Sequence, residues 1–155
     1  MATIEELYTL GKIEKYVPDL GPDQHIERVL YLSLELVEWI NTTLSGMPRR
    51  AGRDLTPLEQ VDNIFSNYIS GKKMVGEYQK LMPQKYAVWE LKTADIRIFG
   101  WFVRQRVFIA THADTATNIK GQKLYRKYIK KVRDYRKRIN LTNPKYTTKG
   151  LGDVL

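Results

Sequence analysis

The chain contains no cysteine, and that absence removes disulfides, thiolate metal sites and cysteine nucleophiles together. Histidine is nearly absent too. His25 and His112 are the only two, and no carboxylate pair stands at ligand spacing near either, so metal catalysis has little to build on. No apolar run approaches the ~18–20 residues that cross a bilayer, so no membrane span is expected. The opening Met-Ala-Thr-Ile-Glu-Glu-Leu is acidic where a signal peptide is basic, and a cytoplasmic location is the expectation. No Gly-rich loop follows a strand-like run and no Gly-x-Ser-x-Gly elbow occurs. Nucleotide folds and hydrolase elbows are therefore unsupported, and no cofactor is implied. Acidic charge is scarce as well: 17 Asp and Glu face 26 Lys and Arg, a net charge of +9. Such an excess favours a polyanionic partner, whether nucleic acid, an acidic protein or an anionic surface.

The 155 residues suit one domain with a sizeable core. Residues 1–23 read as an N-terminal extension, cut off by Pro18, Gly21 and Pro22. From Gln24 to Leu44 two readings stand nearly even on local grounds. One is a continuous helix; the other is a strand from Ile26 to Leu32 followed by a helix capped by Ser33. Thr56-Pro57-Leu58-Glu59 is a helix start with a capping box and proline at the first helical position, and the apolar spacing runs to Ile69 before Gly71 ends it. Val75 to Pro83 is a connector. Three strand-like runs then follow with very short breaks, Tyr86 to Lys92, Ile96 to Val103 and Arg106 to His112, which is the pattern of an antiparallel meander. A final helix is expected over about Gln122 to Ile139. Its apolar stripe is Tyr125, Tyr128, Val132, Tyr135 and Ile139, and nearly every other position is Lys or Arg. Residues 24–140 thus form the expected domain, and 141–155 read as a flexible tail.

What remains for chemistry is basic and aromatic. A phosphodiester can be cut without metal if cations stabilise the crowded phosphorane and a side chain steers the 2′-hydroxyl proton. Arg97, held mid-strand, is the leading cation, with a sheet-face salt bridge as its competing role. His112 ends the third run and titrates near neutral pH in its ordinary state; a hydrogen-bonded structural role competes. Tyr125 can donate a proton or stack on a base, or belong to the core. The basic helix is the stronger signal, because its clustered cations repel one another unless a polyanion neutralises them.

The run Val88-Trp89-Glu90-Leu91-Lys92 followed by Arg97-Ile98-Phe99 resembles the RelE superfamily, and within it the HigB-like, phage-derived branch of bacterial toxins. Val107 to His112 resembles that branch's next strand, and Tyr31 to Trp39 its first strand running into its first helix. This favours the strand-plus-helix reading of the earlier tie. The resemblance spans about residues 25–138. It implies an α+β fold, a small antiparallel sheet in β-α-α-β-β-β order with a basic C-terminal helix. It further implies metal-independent cleavage of ribosome-bound mRNA and neutralisation by an antitoxin chain. By position, Arg97, Lys92, His112 and Tyr125 would be the catalytic set. Lys120, Lys123, Arg126, Lys127, Lys130, Lys131 and Arg133 would grip RNA. One departure stands out: where the family carries Lys or Arg after the third strand, this chain has Ala113-Asp114-Thr115-Ala116-Thr117, and an aspartate there repels phosphate. A non-catalytic relative that binds nucleic acid or a protein, gyrase inhibitors included, is the alternative.

Overall fold

The structure, a computed structural model, describes all of residues 1–155. Its elements in chain order are α1 (Ile4–Thr9), β1 (Ile13–Lys15), β2 (Val29–Ser33), α2 (Leu34–Thr42) and α3 (Pro57–Ile69). Next come β3 (Tyr78–Lys80), β4 (Trp89–Lys92), β5 (Ile96–Arg104), β6 (Val107–Thr115), α4 (Ala116–Gly121), α5 (Tyr125–Ile139) and α6 (Leu151–Val154). The six strands form one mixed sheet in the order β1-β2-β6-β5-β4-β3, in which only β2 and β6 run parallel. The fold is α+β. No helix is long and apolar enough to cross a membrane.

Sequence chemistry accounts for the helix starts. Thr56 and Glu59 form a complete capping box, with Pro57 already at the first helical position. Ser33 ends β2 and caps α2 by accepting from the Leu36 N–H at 3.0 Å. The continuous helix from Gln24 is therefore not what forms. A strand precedes Ser33, although it begins at Val29 rather than Ile26. The last helix is also shorter than its charge pattern predicts. Lys123 adopts a positive φ of 53°, so the chain breaks into α4 and α5 between Gly121 and Tyr125.

Both sheet faces are covered, which is why eight consecutive residues of β5, Ile96 to Val103, are buried. On one face α2 and α3 bury Leu36, Val61, Phe65 and Tyr68 against Leu91, Ile98, Phe102 and Phe108. On the other, α5 lays Tyr128, Ile129, Val132 and Tyr135 on Phe99, Trp101, Val103 and Ile109.

The terminal segments are laid onto this core. Residues 1–23, read from sequence as an extension, supply the edge strand β1, and Ile4, Leu7 and Ile13 pack under the α5 side of the sheet. Residues 141–155, read as a tail, cover the part of β5 that lies beyond β4. The Thr147 N–H donates to the Phe102 carbonyl at 3.0 Å, and the Trp101 indole donates to the Lys145 carbonyl at 3.0 Å. Val154 is fully buried, and its carbonyl accepts from the Arg106 N–H. Apolar and backbone groups that would otherwise lack partners hold this segment in place.

Candidate functional site

Two cross-strand rows on the α5 face bring the sequence candidates together. Register places Lys92 opposite Arg97 and Arg97 opposite Asp114; the adjacent row is Glu90, Phe99 and His112. His112 reaches this face only because of a β-bulge. The β5–β6 register slips by one residue between Phe99 and Gly100, leaving Thr111 as an extra residue in β6. Regular alternation from Ile109 would otherwise turn His112 toward α2 and α3. The Thr111 carbonyl, released from the ladder, accepts from the Ser33 hydroxyl at 2.7 Å, so the α2 cap and the bulge fix each other.

Arg97 is engaged within its own hairpin. Its guanidinium donates to the Thr93 carbonyl at 2.5 Å and to the Ile96 carbonyl at 3.2 Å, and its Nε lies 4.0 Å from Glu90 Oε2. Glu90 is 1 % exposed and Arg97 7 %, so this is a buried ion pair. Lys92 flanks the same carboxylate at 3.9 Å and donates to Gln79 at 2.5 Å. Tyr125 borders the cluster; burial and the neighbouring Glu90 carboxylate push its phenol up to about 12.

His112 lies in the same face but in a different environment. Phe99, stacked on Tyr128 at 4.9 Å, lies between it and Glu90 in the same cross-strand row. The imidazole Nδ1 is 2.9 Å from the Thr111 hydroxyl, and Nε2 is 3.7 Å from Glu35. Burial, reinforced by the positive charges of Lys131 and Arg138, lowers its pKa to about 4. At neutral pH the ring is uncharged and cannot serve as a general acid, and a base that weak is poorly matched to the task. The four residues therefore share a surface without sharing an open cleft. No three His, Asp or Glu side chains cluster closely enough to hold a metal ion.

Asp114, which the sequence places after a third strand ending at His112, belongs to β6 itself. Its carboxylate accepts from the Tyr128 hydroxyl at 2.8 Å, from the Asn118 amide at 3.0 Å and from the Thr115 N–H at 2.7 Å. It ties β6 to α4 and α5. The aspartate that looked like an electrostatic obstacle is a structural joint.

The basic residues divide by the geometry of α5. Arg126, Lys130, Arg133 and Lys137, spaced by three and four, lie along one flank. Lys127, Lys131 and Arg138 lie along the other, where both lysines sit beside the Tyr128 ring and Arg138 pairs with Glu35 at 2.9 Å. Lys120 is exposed at the end of α4, and Lys123 forms the link between the two helices.

Against the first flank lies a groove of about 860 Å³, walled by Met82 to Tyr86 on one side and Lys145 and Tyr146 on the other. The Arg133 guanidinium stacks on the Tyr86 ring at 3.5 Å. Arg136 lies over Tyr146 at 4.1 Å and over Trp101 at 5.5 Å, donating to the carbonyls of Tyr86 and Ala87. Burial, with repulsion from Arg133, brings its pKa down to about 10 despite the nearby Tyr146 phenol. Among the groove cations only Lys130 has a carboxylate partner, Asp134 at 2.6 Å. Sequence reasoning found Arg126, Lys130 and Arg133, but not the groove. The sequence pattern places Tyr86 in a strand and Tyr146 in a tail, whereas Tyr86 lies in a 3-10 turn closed by Ala87 at φ 51°. Nothing local to Lys145 or Tyr146 signals that this segment returns to α5.

Comparison with protein-family models, with curated proteins and with solved structures finds no match to this chain.

Proposed function

We propose that this chain is an RNA-binding protein of RelE-like architecture that engages its polyanion through the exposed face of α5. Its buried sheet-face residues serve the fold in this reading. The observation that carries it is the charge balance of α5. Of its many cations, only Lys130 and Arg138 have acidic partners, while the apolar stripe beneath them is already committed to the core. An unneutralised basic face on a rigid helix gains free energy by displacing counterions from phosphates. The order β2-α2-α3-β4-β5-β6 supports the RelE-like reading, since it runs β-α-α-β-β-β with β1 and β3 added at the sheet edges. The ribosome is the RNA-rich target the resemblance brings with it, and an antitoxin chain covering α5 the protein partner. Titration of labelled RNA with the full chain tests this: affinity should fall steeply with salt, and salt-insensitive or absent binding removes the reading.

A second reading is favoured by the convergence of Lys92, Arg97 and Tyr125 around Glu90. There the chain is a toxin-like, metal-independent endoribonuclease. The 2′-hydroxyl attacks the adjacent phosphate, Arg97 and Lys92 stabilise the phosphorane, and Tyr125 moves the proton from the 2′-hydroxyl to the departing 5′-oxygen, leaving a 2′,3′-cyclic phosphate. This requires a phosphate to displace Glu90 from Arg97. Induced expression in a bacterium separates the readings. Growth arrest with cut mRNA, lost in Arg97→Ala, supports the nuclease, whereas intact mRNA supports the binder. Intact mRNA with SOS induction indicates a gyrase inhibitor.

A further inference from the structure

We infer that the groove between α5 and residues 82–86 and 145–146 is a single-strand nucleic-acid site, in which unpaired bases stack on Tyr86, Tyr146 and their guanidinium partners. The inference rests on the RNA-binding reading and deepens it by assigning one flank of α5 and one form of the polymer. Charge alone would fit any polyanion; the aromatic surface is what selects. The Arg133 guanidinium carbon lies over the Tyr86 ring, 3.5 Å from its centroid, so a base that stacks here meets cation and ring together. Arg136 is held between Trp101 and Tyr146, fixed by two backbone carbonyls and offset by no carboxylate. A half-buried guanidinium without a counter-ion is costly until an anion arrives. Met82, 73 % exposed, adds a polarizable apolar edge at the mouth.

Phosphates along Arg126, Lys130 and Lys137, with bases turned inward onto the rings, would satisfy both kinds of group at once. A duplex keeps its bases stacked inside the helix and offers the rings nothing, whereas every unpaired base has a face to stack. An acidic peptide would satisfy the cations but leave the rings unused. RNA and DNA single strands share the chemistry that the groove reads.

The test is fluorescence anisotropy of labelled single-stranded RNA, single-stranded DNA and a blunt-ended RNA duplex of equal length, titrated with the full chain. Wild type should prefer the single strands. Tyr86→Leu with Tyr146→Leu retains every cation and should weaken single-strand binding by about tenfold or more while leaving the duplex unchanged. Should that double variant unfold, Lys137→Glu, at an exposed position, should still lower affinity and flatten the salt dependence by about 0.7 per lost phosphate contact. Binding to DNA single strands alone would preserve the groove and overturn the RNA reading. Binding that ignores the rings and Lys137 but is lost on Lys127→Glu with Lys131→Glu would preserve the RNA reading and overturn the groove. Equal competition by oligoglutamate, with silent ring variants, would also overturn it and mark an acidic-protein surface. Absence of all binding removes both.

Discussion

Arg97 and Glu90 lie diagonally across the β4–β5 hairpin with Nε 4.0 Å from Oε2, in a site that leaves 1 % of the glutamate exposed. Removing one member of a buried pair strands the other charge, which costs about 3–5 kcal/mol, while replacing both by neutral groups of similar size costs far less. Arg97→Ala should therefore destabilise the chain by about 3 kcal/mol in chemical denaturation. Arg97→Met combined with Glu90→Gln should recover most of that loss. A catalytic Arg97 adds a second effect: under conditions where the Arg97→Ala chain remains folded, cleavage is lost as well.

His112 makes acid stability a readout of the α5 packing. Its folded pKa of about 4 lies below the usual 6.5, so falling pH protonates the unfolded chain first and draws the equilibrium toward it. The contribution is fully present above pH 6.5 and is lost progressively as pH falls toward 4. Denaturation midpoints followed over that window should drop in wild type and drop less in His112→Asn. Direct NMR titration should show the ring uncharged at pH 6. A midpoint near its ordinary value would mean that α5 does not cover it.

Gly100 marks the closest approach in the sheet. A Cβ at this position would stand 1.9 Å from the Ile109 carbonyl oxygen, a backbone atom beside the bulge that cannot yield. Gly100→Ala should cost at least about 3 kcal/mol by overpacking. Because the same bulge aims His112, the variant should also move the His112 resonance. A neutral substitution would contradict the register around Thr111.

Asp95 anchors the loop between α2 and α3 by pairing with its Arg50 and Arg53 at 3.4 and 3.1 Å. Burial alone would raise its carboxyl pKa, but hydrogen bonds from Gln60 and Arg53 and the charges of Arg53 and Arg50 outweigh burial and hold it below the ordinary carboxylate range. That stability is present above the unfolded carboxylate pKa and disappears as pH falls through the lower, folded one. Asp95→Asn should lower stability at neutral pH by about 1–3 kcal/mol, since Arg50 and Arg53 lose their shared negative charge and the Gln60 amide loses its acceptor. Acid unfolding below pH ~4 should then become less steep.

Local chemistry made much of the fold legible. The Thr56 capping box, the Ser33 cap and the short breaks of the meander act over a few residues, and each is present as read. The β1 and β3 edges were not legible, because three-residue strands carry no period. The sheet-face cluster was named residue by residue, yet its condition was not: neither the Glu90 side of the Arg97 pair nor the Tyr128 bond to Asp114 follows from spacing. Phe99 between Glu90 and His112 is a consequence of register, which the bulge at Thr111 sets. The groove was illegible for a different reason. It is made by Tyr146 returning to α5, drawn back by the unfilled edge of β5, the Trp101 indole, the Arg106 N–H and the Arg136 guanidinium.

The most direct measurement is a titration of labelled single-stranded RNA at several salt concentrations, with the RNA's length read on a gel from the same samples. Phosphate contacts by Arg126, Lys130 and Lys137 in the groove predict a slope of log affinity against log salt of about −2, with the RNA remaining full length. A slope near zero, or RNA cut by wild type and left whole by a folded Arg97→Ala chain, would contradict the account.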